Sequence, residues 1–312
     1  MDGRLEIALY ALVVTIIFQI VMMVVSLVSK RRTPAMPLIE FILRSFSIGM
    51  IDKLNRPERS DFALIFRGTI VFFIIFACLC GISYALHHVM LMIGYSQYTH
   101  VVLLFLVLSP IMVLKTAYTV SVEKPAGGAY LQLSRTLNQN LIPADKHGLR
   151  RTGCKAMAVS LTEYIIAPLL FYILGGVICA YLYVSLSLFV RLSGQNSRAF
   201  TSVFTYIYKA MNFVASIIGV ILIFLSSLFA TGGRPLKVLR ALNVETAMAY
   251  AQNITLGGSF QNRMGETIKD DWVGSDGATA QLDHKDVLRV MIQYGITVFI
   301  LIAILAVVGI YT

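Results

Sequence analysis

The sequence predicts an all-α, polytopic integral membrane protein with about six apolar segments and long helical cytoplasmic loops. Of its 312 residues, 57% are hydrophobic and only 13% charged, against about 45–50% and about 25% in an ordinary soluble domain. Leu, Ile, Val and Phe also run in blocks of about 20 rather than at an amphipathic period, which is the pattern of membrane spans. A water-soluble globule is therefore excluded. The formal charge of +10 reads as orienting charge on loops. No basic patch with interleaved aromatics points to nucleic acid.

The chain is expected to form one membrane domain over residues 1–312. Residues 7–28 would make a helix about 33 Å long at about 1.5 Å per residue, enough for a hydrocarbon core of about 30 Å. Gln19 is the strongly polar residue within it. No small-residue cleavage pattern closes this segment, so it is expected to stay as an anchor. Residues 68–86 form the second span, and residues 101–114 a shorter third that Pro110 would kink. The longest run, 165–190, is interrupted by Gly175-Gly176 and fits either one tilted helix or two half-helices. Residues 213–229 and 296–311 complete the six.

Between these spans lie long loops at 30–67, 115–164 and 230–295. Lys and Arg number 8 in residues 30–67, 7 in 115–155 and 7 in 234–289, against one before the first span, none in 87–100 and 3 in 191–209. The positive-inside rule then puts the large loops in the cytoplasm. Met36 to Ile51 reads as an amphipathic helix at the bilayer surface, with Pro34 and Pro37 marking its start. Pro235 to Gln252 reads as another helix, and Gly257-Gly258 closes the short segment after it. Asp271 to Gln281 has little periodicity and reads as a mobile loop.

Residues able to carry chemistry are few. His87, His88 and His100 flank a short external loop, where interfacial histidines are preferred to a metal site. Cys78, Cys80, Cys154 and Cys179 are expected to pack as small apolar groups. Thr231 to Pro235 and Glu123 to Gly128 read as turns, because neither has the strand-to-helix setting of a phosphate cradle. Ionisable residues that interrupt apolar runs are better candidates, because charge at membrane depth is costly. Glu163 precedes the 165–190 run and could bind a cation or an amine, or cap the helix start. Arg191, at its far end, reads as a snorkelling anchor. Glu245 and Asn253 stand at i and i+8, on about one face of a cytoplasmic helix, with a solvated face as the bland reading.

The order of blocks resembles the polytopic CobD/CbiB family of cobalamin biosynthesis. Ile165-Ile-Ala-Pro-Leu-Leu-Phe171, then Gly175-Gly176, Ala180, Tyr183 and Gly194, fall ungapped on that family's V-V-A-P-L-F and G-G-x-x-G-A-x-x-Y-K blocks. Glu245-Thr-Ala-Met-Ala-Tyr-Ala251 running on to Leu256-Gly-Gly258 is similar to its P-E-A-A-M-A…L-G-G block. Thr33-Pro34 with Leu38-Ile39, and Trp272-Val-Gly274 with Leu282, Asp286-Val287 and Arg289, agree in order at the two ends. The polar centre differs. The family's E-N-T-S-D-G reads Val159-Ser-Leu-Thr-Glu-Tyr164 here, and Ser187, Val190 and Arg191 replace Asn, Asp and Ser of N-T-L-D-S-M.

The resemblance implies an ATP-dependent amide-forming ligase that joins aminopropanol, or its phosphate, to adenosylcobyric acid. It implies catalytic roles for Glu163 and Glu245, and substrate-binding roles for Ser187, Arg191, Asn253, Gly257 and Gly258. ATP and Mg²⁺ come from the resemblance only, since no sequence motif shows them, and no protein metal ligand is expected. Expected partners are membrane lipid, a corrinoid substrate and other membrane subunits, and the expected location is the bacterial cytoplasmic membrane. Loss of the family's carboxylates keeps a second reading open, a catalytically silent relative acting as scaffold, sensor or complex subunit; a transporter is third. If Gly175-Gly176 folds the long run back, the seven site residues approach one another near the cytoplasmic boundary. A straight span would instead hold Glu163 and Arg191 about 42 Å apart at about 1.5 Å per residue.

Overall fold

The computed structural model describes residues 3–29, 37–56, 58–122, 131, 133–134, 137, 139–141, 145–193, 198–230, 232–262 and 267–311. The helices are α1 (Arg4–Ser29), α2 (Leu38–Leu54), α3 (Asp61–Met92), α4 (Thr99–Val107), α5 (Met112–Val122), α6 (Lys146–Leu161), α7 (Ala167–Ser193), α8 (Arg198–Ser227), α9 (Pro235–Val238), α10 (Val244–Gln252) and α11 (His284–Tyr311). Among the described residues, five helical stretches are long and apolar enough to cross a membrane: Arg4–Val25, Asp61–Met92, Lys146–Ser193, Ala199–Ser227 and His284–Ile310. The all-α, polytopic membrane class stands. Several helices outrun their apolar runs, because a helix continues through flanking polar residues where run length stops counting.

The third expected span is where backbone regularity fails. α4 ends at Val107, and the chain is not helical again until α5 begins at Met112. Leu108 at the end of α4 is extended, as a residue two before Pro110 can be, and Pro110 has no N–H to continue a helical ladder. Polar backbone inside apolar surroundings must find partners in the protein. The Gln19 amide donates to the Leu108 carbonyl at 3.4 Å, its Oε1 accepts the Ile111 N–H at 2.8 Å, and the Tyr294 hydroxyl donates to the Pro110 carbonyl at 2.8 Å. Gln19 thus has a structural task. Gln19→Leu should lower stability by about 1–3 kcal/mol by orphaning two backbone groups, read as a fall in thermal unfolding temperature in detergent.

The long run resolves into a hairpin. α6 passes through a π-helical turn, Thr162–Ile166, into the first leg of α7, and the helix breaks at Gly176 with φ 74° and ψ −165°. That conformation is essentially reserved for glycine. The second leg then returns along the first. Arg4 closes the tip by donating to the Ile173 and Leu174 carbonyls, both at 3.3 Å, which are unpaired acceptors at a helix end. The straight-span alternative is removed, and the 165–190 segment extends back to Lys146.

The hairpin is packed from both sides by large aromatic residues. Tyr172, Tyr181, Tyr183 and Phe189 on α7, Phe200 on α8 and Tyr294 on α11 are fully buried. Phe72 of α3 stacks on Phe204 of α8 with ring centroids 4.3 Å apart. α2 is a helix as its sequence predicts, but its polar residues face inward: Glu40, Arg44 and Ser47 are buried beside Ile39, Leu43 and Ile51, and Leu38, Phe41, Ile42 and Phe46 are exposed. Pro34, expected at its start, lies outside the described residues, and Pro37 caps it.

At the end of the molecule where α6 and α11 begin, three short strands form an antiparallel sheet that the sequence pattern does not predict. They are β1 (Gln139–Asn140), β2 (Phe260–Asn262) and β3 (Thr267–Ile268), ordered β1-β2-β3. The expected 235–252 helix is two pieces, α9 and α10, because Asn243 restarts the helix by accepting the Thr246 N–H at 2.8 Å. The 271–281 segment is irregular but anchored: Leu256 and Val273 exchange backbone hydrogen bonds, and Thr255 N–H donates to Thr279.

Candidate functional site

Glu163 lies inside the π turn in mid-helix, so it does not cap a helix start; that start is at Lys146, capped by Asp145. The π turn lets the Tyr164 carbonyl accept the Ser109 N–H at 3.3 Å, tying the hairpin to the α4–α5 break. Glu163 itself is 8% exposed. Its Oε1 accepts the Tyr208 hydroxyl, its Oε2 accepts the Ser187 hydroxyl at 3.2 Å, and Arg191 Nη1 lies 3.5 Å from Oε2. The hairpin therefore brings Glu163, Ser187 and Arg191 into one cluster.

Arg191 is not a snorkelling anchor. Its Nη2 donates to Glu40 Oε2 of α2 at 2.7 Å, its Nη1 donates to the Tyr164 hydroxyl, and its guanidinium carbon sits 5.2 Å from the Tyr164 ring centre. Arg44 lies 3.7 Å from the other Glu40 oxygen. Two carboxylates thus face two guanidinium groups, and the cluster is neutral as a unit. The contact also corrects the charge count. Six single crossings put Arg191 on the side opposite residues 30–67, yet it ion-pairs with Glu40 of that segment, because the second leg of the hairpin runs back along the first.

A second cluster surrounds a cavity of about 400 Å³ lined in part by Arg151, Lys155, Gly257, Gly258 and Asp270. The Lys155 ammonium lies between two carboxylates, bonded to Asp270 and 3.2 Å from Glu245 Oε1. Arg151 donates to the Ala280 carbonyl at 2.7 Å and rests 5.0 Å over the Trp272 ring. Gly257 has φ +87°, and a Cβ there would fall 2.2 Å from the Asp271 carbonyl oxygen. Only glycine lets the two backbones approach so closely.

The seven expected residues therefore divide. Glu163, Ser187 and Arg191 meet around the hairpin, whereas Glu245, Gly257 and Gly258 belong to the region of the second cavity. Asn253 does not share a face with Glu245. It leaves α10 in a left-handed conformation with φ 56°, accepting from Arg234 at 2.8 Å and from Ser275 at 2.9 Å. Gly194, Thr33, Pro34, Glu123 to Gly128 and Thr231 lie outside the described residues. Sequence reasoning misses Glu40, Tyr208, Arg151, Lys155 and Asp270. Glu40 and Arg44 carry a signal, an i, i+4 pair inside an apolar amphipathic run; Tyr208 carries none.

Cys154 is fully buried and Cys78, Cys80 and Cys179 are partly buried, all as free thiols. His100 bonds the Tyr172 hydroxyl at 3.0 Å, and His88 packs on Tyr84. Among the described residues no group of three His, Cys, Asp or Glu could hold one metal ion.

Burial holds the Glu245 carboxyl above its ordinary 4.5, while the Lys155 ammonium works against the shift. Between 4.5 and that raised value the folded protein keeps a proton that the unfolded chain has released, so stability should fall as pH rises through this window. Glu245→Gln should flatten the slope of unfolding temperature against pH there.

The carboxylates of the two described clusters, each held by a cation of the protein, do not fit Mg²⁺-nucleotide as they stand. Both Glu163 oxygens accept hydrogen bonds from hydroxyl groups, and Arg191 neutralises the carboxylate. An ammonium occupies the place between Glu245 and Asp270 where a cation would go. Mg²⁺ on a phosphate is held through one or two carboxylates, and here a protein cation already takes their charge.

No curated protein and no solved structure matches the chain. A family model described as CobD/Cbib protein matches residues 44–293. This range takes in both clusters apart from Glu40, the hairpin and the two-piece α9–α10 segment, and the chain belongs to the CobD/CbiB family, that of cobalamin biosynthesis.

Proposed function

We propose that the protein is a catalytically silent member of its family, a membrane subunit that holds a corrinoid or a partner protein and does not form an amide bond. The observation that carries this is the neutral Arg44–Glu40–Arg191–Glu163 arrangement, in which two guanidinium groups take up the anionic capacity that phosphoryl chemistry would require. Other membrane subunits are its expected partners. The bacterial cytoplasmic membrane is its proposed location, with the large loops inward.

The test is complementation of a strain lacking the family enzyme, followed by corrinoid analysis. No rescue at normal membrane expression is expected. Rescue would establish the second reading, an ATP- and Mg²⁺-dependent ligase joining aminopropanol or its phosphate to adenosylcobyric acid. That reading draws support from the cavity around Arg151, Lys155 and Asp270, which adjoins the best-kept family block, Glu245 to Gly258. A transporter gains nothing from the two helix breaks: one is a hairpin tip at Gly176 and the other an interrupted helix at residues 108–111, so they do not correspond as repeats would.

A further inference from the structure

The candidate span Ala199–Ser227 is followed by a stretch that neither cluster explains. Backbone bonds run from Lys237 N–H to Arg234 at 3.1 Å, from Arg240 to Lys237 at 3.2 Å and from Ala241 to Val238 at 2.9 Å. At that three-residue pitch, side chains three apart stack in rows. Val238 and Ala241 make the inner row, 0% and 8% exposed, while Leu236, Leu239 and Leu242 make the outer row at 79%, 62% and 77%. Leu228 and Phe229, just after the span, are exposed as well.

Arg234, Lys237 and Arg240 punctuate the same stretch, and no Asp or Glu occurs from Leu228 to Asn243. Arg234 bonds Asn253 at 2.8 Å and Lys237 bonds Ser275 at 3.3 Å, fixing the turns to the body of the protein; Arg240 is exposed. A leucine row facing water would be an aggregation site. Directly after a span, and flanked only by cations, it matches the chemistry of the headgroup boundary: leucines among acyl chains and cations against lipid phosphates. We propose that Leu228 and Phe229 together with residues 232–242 form a membrane-surface anchor that selects anionic phospholipid. Charge complementarity and continuity with the span argue for this occupant, and the proposal holds whether or not the protein turns over substrate.

The test uses the full chain in nanodiscs of phosphatidylcholine, alone or mixed with phosphatidylglycerol. Native mass spectrometry of protein released from the mixed discs should show phosphatidylglycerol bound, and Lys237→Gln/Arg240→Gln should reduce it by about fivefold for each charge removed. Hydrogen exchange of unsubstituted peptide 236–242 should be slower in the mixed discs than in phosphatidylcholine alone, a measurement that needs no variant to fold. Equal phosphatidylglycerol retention by the variant, or equal exchange in the two lipids, overturns the proposal. So does protection of 236–242 by a co-purifying protein irrespective of lipid.

Discussion

Replacing Arg191 by Met should destabilise the folded protein by about 3–5 kcal/mol, because it strips the shared counter-charge from two buried carboxylates. Glu40 and Glu163 are 2% and 8% exposed, so water cannot take over the role of the guanidinium. Glu163→Gln should cost less, about 1–3 kcal/mol, since Arg191 keeps its 2.7 Å contact with Glu40 and an amide still accepts from Tyr208 or Ser187. Combining the two changes leaves Glu40 with Arg44 and should recover part of the loss. Thermal unfolding of the three variants in one detergent measures this. A double variant whose loss equals the sum of the two single losses would show that the two residues are not coupled.

Gly176→Ala should cost about 1–3 kcal/mol or more, since alanine strongly disfavours the backbone geometry at the hairpin tip. Gly81, inside α3 with nothing within 4 Å of its added Cβ, is the control. There the same substitution should stabilise by about 0.5–1 kcal/mol through helix propensity. Opposite signs for one chemical change would locate the strain in the turn. Equal unfolding temperatures for the two variants would remove Gly176 as a required break.

How much of the structure is legible in the sequence depends on distance along the chain. The membrane class comes from composition, since apolar runs of span length have no soluble use. Two adjacent glycines raise the turn at Gly175-Gly176 as a possibility, but the choice between hinge and tilt depends on packing. Glu163 stands out because a carboxylate beside an apolar run is conspicuous. Its partners do not. Glu40 lies more than a hundred residues away on a helix that reads as a surface element, and tyrosines such as Tyr208 are too common at membrane interfaces to signal a buried hydrogen bond. The family resemblance implies one site for Glu245 and Glu163, and the structure gives each its own partners. Lys155 and Glu163 are both on the α6 side of the hairpin but separated by about 12 Å of helix at about 1.5 Å per residue, so each gathers its own partners. Asn253 is misplaced because a helical wheel cannot show that the helix ends there.

The π turn at Thr162–Ile166 also sets how the gene can change. Such a turn holds one residue more than the α-helix needs, so deleting a codon within it would mend the helix at little backbone cost. The flanking helices would stay nearly in phase, because the five residues of the π turn, bonded i→i+5, sweep about the same angle as four α-helical residues at about 100° each. Lys155 and the residues after Ala167 would keep their faces, and the loss would be local, at Glu163 and at the Tyr164 carbonyl that accepts the Ser109 N–H. A deletion elsewhere in the same helix has no such slack and would turn one half of it against the other by about 100°.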